Sequence, residues 1–248
     1  MSGQIHLRTA SAAVLASLLA VSGPVAGADQ PPAGAAPARV ETPARPAPDF
    51  RFLERKITFG KATLAEVRQA LTQQDTGRIT NTMHALYSMR WHRGVIHLLY
   101  DMWDMKKDKY PELSWDIIDK APARIALAST ICRIQLTGKE KYLEYIRSHE
   151  HDRHEFHRAQ VVIALGLNGD PADVDYIKGM ADGDDVYVAQ SAITALSLMG
   201  HRKASDAMID LWFKYRGTPR GNLIQQLLKQ AYNLTPHERQ VGDKDSSK

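Results

Sequence analysis

Glycines recur every 31 residues in this chain, at Gly138, Gly169 and Gly200, and two columns of aliphatic residues keep the same step. One column runs through Ile131, Val162, Ile193 and Ile224, the other through Ile134, Leu165, Leu196 and Leu227. One such column arises easily by chance; two in register with a glycine seldom do. Members of a pair are three residues apart, which puts them on one helical face turned toward a core. Each glycine falls where that helix should stop, because glycine takes the left-handed C-terminal conformation at little cost. A second apolar pattern follows each glycine: Leu143 and Ile146, Val174 and Ile177, Met208 and Leu211. Asp170-Pro171 supplies a cap and a first-turn proline for one of these second helices. Each unit therefore reads as helix, tight turn, helix. A single hairpin cannot bury its own apolar face, so neighbouring units must stack and share a core, which predicts an all-α solenoid.

The passage His157-Arg158-Ala159-Gln160, Ala164-Leu165-Gly166, Asn168-Gly169-Asp170-Pro171 and Ala181-Asp182-Gly183-Asp184 resembles the HEAT-repeat family. The likeness is to the short bacterial HEAT-like repeats also found in phycobilisome lyases. That repeat carries Arg-x-x-Ala, Ala-Leu-Gly, Gly-Asp-Pro and a closing Asp-rich turn. Val188-Ala189-Gln190, Ala195-Leu196 and Gly200 give a second copy. The match is good over 157–216, fair over 122–148 and 219–232, and weak before 120. Gly-Lys-Glu and Gly-His-Arg stand in the flanking units where the family has Gly-Asp-Pro. The resemblance implies a right-handed α-solenoid of stacked hairpins, about four to six repeats, whose second helices line a concave groove. It also implies a lyase-like accessory role, which sits badly with the export signal described next.

Residues 1–28 carry His6 and Arg8, an apolar run over 10–21, and Ala26-Gly27-Ala28. That order predicts a secretory signal peptide cleaved after Ala28, and hence a periplasmic or secreted protein. The run is too short to span a bilayer, and no later stretch is long enough. Residues 29–49 are rich in Pro and Ala, with six of the 12 prolines, and predict a disordered linker. Residues 50–121 read as a divergent N-terminal helical capping region, 122–236 as HEAT-like repeats and 237–248 as a polar tail. In the capping region Thr63-Leu64-Ala65-Glu66 is a capping box opening a helix to about Gln74. Helices over 78–90 and 93–107 follow, with His92-Arg93-Gly94 at the turn, and Pro111 and Pro122 bracket a short helix. Trp91, Trp103, Trp115, Met83, Met89, Met102 and Met105 crowd this half. They read first as its core, and second as an adaptable apolar surface for a partner.

Composition narrows the chemistry. A chain with 44% hydrophobic and 24% charged residues can bury a core. The lone Cys132 excludes a disulfide within the chain, a four-cysteine zinc site and a Cys-x-x-Cys motif; beside Ile131 it reads as a small buried residue. A net charge of +4 is far below the basic stripe that phosphate neutralisation demands, so nucleic acid is not an expected partner. No nucleophile elbow, phosphate-binding glycine loop or dinucleotide fingerprint is present.

Two constellations remain. Within 148–157 lie four of the ten histidines, His149, His151, His154 and His157, with three carboxylates. Imidazole and carboxylate suit Zn, Cu or Ni. If the segment were helical, His151 with Glu155, or His154 with His157, would share a face. The His-Glu-x-x-His order of zinc proteases is absent, and a junction between repeats favours a polar turn anyway. The second constellation is on the second helices. The 31-residue step aligns Glu144, Asp175 and Asp206, then Arg147 and Lys178, then Tyr145 and Tyr176, with Asp210 one helical turn beyond Asp206. The plain reading is intrahelical pairing of Glu144 with Arg147 and Asp175 with Lys178 on a solvated face. The functional reading is a groove for an extended partner, since tyrosine is enriched at interfaces. The expected function is thus a non-enzymatic exported scaffold or adaptor that binds a protein or extended peptide of the cell envelope and needs no cofactor. The alternative is a periplasmic transition-metal-binding protein using His149 to His157.

Overall fold

The computed structural model describes residues 51–135 and 137–236. The expected signal peptide, linker and tail lie outside the described residues. Those described form twelve α-helices and no strand. In order they are α1 (Arg51–Thr58), α2 (Leu64–Ala70), α3 (Thr76–Ala85), α4 (Arg93–Trp103), α5 (Trp115–Ile118) and α6 (Ala121–Ile134). Then come α7 (Glu140–Arg147), α8 (Glu155–Asn168), α9 (Val174–Asp182), α10 (Val186–Met199), α11 (Arg202–Tyr215) and α12 (Pro219–Tyr232). A 3-10 turn, Leu86–Met89, continues α3.

Contacts between helices follow chain order. Helices α3, α6, α8, α10 and α12 pack each against the next, while α4 packs forward onto α6, α9 onto α10 and α11 onto α12. One connected core runs from Ile57 to Leu228. The first row is dense because its sequence is small: Ala123, Ala126 and Ala128 of α6, Ala159 and Ala164 of α8, and Ala189, Ala192 and Ala195 of α10 are all buried. Small side chains let helix backbones approach closely and exclude voids. The tightest point is Gly166 on α8, where an added Cβ would lie 2.6 Å from the Ala195 Cβ and 2.7 Å from both its Cα and its carbonyl oxygen.

Local chemistry fixes the helix ends. Thr63 accepts from the Glu66 amide while the Glu66 carboxylate accepts from the Thr63 amide, completing the expected capping box. Helix α2 nevertheless stops at Ala70, short of Gln74, because Asp75 caps the following helix through the Arg78 amide at 2.8 Å. Gly169 and Gly200 are left-handed C-caps with φ of 70° and 69°, as the period required. Gly138 also has positive φ, 71°, but α6 has already ended at Ile134 with Gln135 extended. In place of Asp-Pro after Gly200, the His201 ring nitrogen Nδ1 accepts from the Ala204 amide at 3.3 Å, and His92 does the same for Val95. Burial, and then the Lys203 charge, lower the His201 pKa, which keeps Nδ1 free to accept.

In the capping region Met83, Met89, Met102 and Trp115 are buried and Trp103 partly so, whereas Trp91 projects with 84% of its surface exposed. Asp101, buried near the end of α4, fixes the loop beyond it by accepting from Lys106 at 2.8 Å, Tyr110 at 3.0 Å and Lys109. Burial pushes its carboxyl up, but these hydrogen bonds outweigh that and bring it down to about 2.

Candidate functional site

Helix α7 turns Tyr142 and Ile146 into the core. Glu140, Leu143, Glu144 and Arg147 share the other face at helical spacing and, with Ser148, line an open depression of about 500 Å³. Glu140 and Glu144 make no ion pair among the described residues, so two exposed carboxylates flank the Leu143 side chain.

The remaining charge columns are occupied, mostly by partners on neighbouring elements. Arg147 donates to Asp173 Oδ1 at 2.9 Å, Lys178 pairs with Asp210 at 2.8 Å and Lys203 pairs with Asp175 at 2.9 Å. Lys214 likewise reaches Asp182 at 2.7 Å, and only Asp206 pairs within its own helix, with Arg202 at 3.5 Å. The intrahelical pairs expected for Glu144 with Arg147 and Asp175 with Lys178 are therefore replaced by links between neighbouring helices. Exposed pairs of this kind contribute only ~0.2–1 kcal/mol each. Arg147 differs in that its partner Asp173 is buried, and that hydrogen bond raises its pKa. The second Asp173 oxygen, Oδ2, is buried with no hydrogen-bond partner among the described residues.

The tyrosine column is half-buried instead of outward. Tyr145 meets the edge of Trp103 at 5.3 Å and the His149 ring at 4.8 Å, with the Arg124 guanidinium 5.7 Å from its centroid. Tyr176 donates to the Glu150 carbonyl at 3.2 Å. Burial pushes both phenols up. Two tyrosines outside the column fasten neighbouring units similarly: Tyr215 donates to the Asp182 carboxylate at 2.7 Å, and Tyr232 to the Leu196 carbonyl at 2.6 Å. These positions lie on the border between the inner and outer faces, where helical spacing alone does not separate half-buried from free.

The histidine segment is a turn up to His154, and α8 begins at Glu155. Asp152 organises it, accepting from the His154 amide at 2.9 Å and lying 2.8 Å from His157 Nδ1. The His154 amide bond, and then the His157 bond, hold the Asp152 carboxyl down at about 2. The His154 and His157 rings meet edge to face at 5.0 Å. His149 is apart from them, its Nδ1 3.0 Å from the Tyr145 carbonyl, and His151 is exposed. Among the described residues no group of three or more His, Cys, Asp or Glu side chains is arranged to hold a metal ion. Arg158 closes the same turn, donating to the Asp152 carbonyl at 2.7 Å and to Asp185 at 2.8 Å. Asp185 in turn caps α10 through the Val188 amide. Of the acidic turn after α9, Asp182 is thus engaged by Lys214 and Tyr215, and Asp185 by Arg158. Cys132 is buried, and burial pushes its thiol up to about 12.

Among the described residues no helix is long and apolar enough to cross a membrane. No protein-family profile, no curated protein and no solved structure matches the chain.

Proposed function

We propose that this chain is a right-handed α-solenoid of HEAT-like hairpins, exported to the periplasm or beyond, that acts as a non-enzymatic scaffold and docks a protein or extended peptide on its second-helix face. The observation that carries this reading is the depression on α7. Elsewhere on that face Arg147, Asp175, Lys178 and Asp210 pair with neighbouring elements and Asp206 with Arg202 of its own helix, whereas among the described residues Glu140 and Glu144 flank Leu143 without ion-pair partners. An occupant with basic residues on either side of an aliphatic one complements that pattern. The Glu144, Asp175 and Asp206 column then acts unevenly, with Glu144 available to a partner and Asp175 and Asp206 engaged within the protein.

An extended peptide alternating Lys and Leu is the direct probe. Glu140→Lys with Glu144→Lys is expected to weaken its binding roughly tenfold, since two exposed contacts at ~0.2–1 kcal/mol each turn from attractive to repulsive. The same variant should lose envelope proteins that cross-link to the wild type in native membranes. Equal peptide affinity and an unchanged cross-linked set would overturn the reading. Under it, added Zn or Cu leaves the melting temperature unmoved, because a ligand that binds only the folded state must raise it. A metal-dependent rise abolished by His154→Ala with His157→Ala would instead favour the transition-metal alternative.

A further inference from the structure

The two most exposed large apolar side chains in the described residues are Trp91, 84% exposed, and Phe59, 73% exposed. They sit on neighbouring turns. A Cβ on Gly60 would lie 3.3 Å from the Ser88 carbonyl oxygen, and one on Gly94 would lie 3.0 Å from the Leu64 side chain. The turn joining α1 to α2 is therefore packed beside the one leading into α4, so the two exposed rings belong to adjacent turns.

Their surroundings are basic. Residues 55–66 and 87–97 hold Arg55, Lys56, Lys61, Arg90 and Arg93 against the single carboxylate Glu66. Glu66 is already occupied, by Lys56 at 2.6 Å and by the Thr63 amide at 2.8 Å. The Arg90 guanidinium lies 5.1 Å from the Trp91 ring centroid and 4.7 Å from that of Tyr87, which stiffens the protruding indole.

We propose that the turns carrying Phe59 and Trp91 dock this protein onto an anionic phospholipid surface. Protruding rings with basic neighbours suit a bilayer interface, where aromatic side chains settle at headgroup depth and arginine and lysine meet lipid phosphates. A folded partner would need a matching pocket for each ring. A second copy of the chain in a symmetric contact would set Lys61, Arg90 and Arg93 against their own equivalents. The preceding stretch 29–49 supplies little negative charge, since Asp29, Glu41 and Asp49 stand against Arg39 and Arg45, a net charge of −1. This surface is separate from the α7 depression, and its test is independent of that reading.

The test is flotation of the full chain with phosphatidylglycerol vesicles and with phosphatidylcholine vesicles, and quenching of tryptophan emission by brominated lipid. Binding is expected to the anionic vesicles and to weaken with salt. Phe59→Ala with Trp91→Ala should reduce partitioning roughly tenfold or more, and Arg90→Gln or Arg93→Gln about fivefold each. The chain has four tryptophans, and the quenching should disappear in Trp91→Phe. That last comparison separates the patch from the apolar run at 10–21, which would bind vesicles without bringing Trp91 to the lipid. Equal binding to both vesicle types, partitioning unaffected by the double alanine variant, or quenching that survives in Trp91→Phe would each overturn the proposal. Binding to a polyglutamate peptide with none to vesicles would overturn it in favour of an acidic protein segment.

Discussion

Gly166→Ala is expected to destabilise the protein by about 3 kcal/mol and to lower its melting temperature by roughly 6–12 °C. The direction is informative because the same substitution in an ordinary helix interior is stabilising by ~1 kcal/mol, alanine being the better helix former. Here the new methyl would stand 2.6–2.7 Å from the Cβ, Cα and carbonyl oxygen of Ala195. Two of those atoms belong to backbone, so no side-chain rotation relieves the clash and α8 must move off α10. Ala195→Gly removes only the Cβ contact and should restore stability in part. Thermal unfolding followed by circular dichroism decides the matter, and an unchanged or higher melting temperature would show that the two helices do not meet as described.

The wild type is expected to lose stability between about pH 6.5 and pH 4, and His84→Leu to remove most of that loss. His84 lies on α3, buried among first-row helices, with neither ring nitrogen hydrogen-bonded among the described residues. Burial, and then the Arg133 charge, lower its pKa from 6.5 to about 4. Because the folded pKa lies below the unfolded one, the unfolded chain binds the proton first. Stability is therefore complete above about pH 6.5, falls as the pH drops toward 4, and levels off below that. At 1.36 kcal/mol per unit the loss is about 3 kcal/mol. An apolar residue of similar size has no proton to take up, and near neutrality it should cost little, since the ring's polar atoms gain nothing there. Urea unfolding of both proteins across that interval is the measurement. Parallel pH profiles for wild type and variant would remove His84 as the cause.

The parts of this fold that were legible beforehand are those whose chemistry is local. The Thr63 capping box and the left-handed Gly169 and Gly200 each depend on a few adjacent residues and formed as expected, while Asp170-Pro171 opens a 3-10 turn, Pro171–Asp173, that leads into α9 at Val174. Histidine capping by His92 and His201 was missed because histidine is not among the strongly preferred caps. Gly138 misled because the glycine matched the period while α6 ended before it. The ion pairs were beyond reach for another reason. Arg147 has Glu144 three residues away, and only the placement of the next unit makes Asp173 the partner. Tyr145 and Tyr176 failed in the same way, since their burial comes from what packs over them. Gly166 stood in a recognisable Ala-Leu-Gly string, yet the reason for glycine there is the backbone of a helix about 30 residues on. The unpaired Glu140 and the neighbouring exposed rings of Phe59 and Trp91 are likewise products of tertiary placement.

Neighbouring helices are joined by different kinds of link. Along the first row, backbones meet through alanine and glycine, a contact that loses its energy within a fraction of an ångström and so resists extension. Helices α9 and α11 are tied to each other instead by Lys178, Lys203 and Lys214, long side chains that keep hold of their carboxylates over a range of spacings. Contact between backbones through small side chains resists separation of α8 from α10, whereas lysine ties tolerate it between α9 and α11, so a change in helix spacing would be taken up first at α9 and α11.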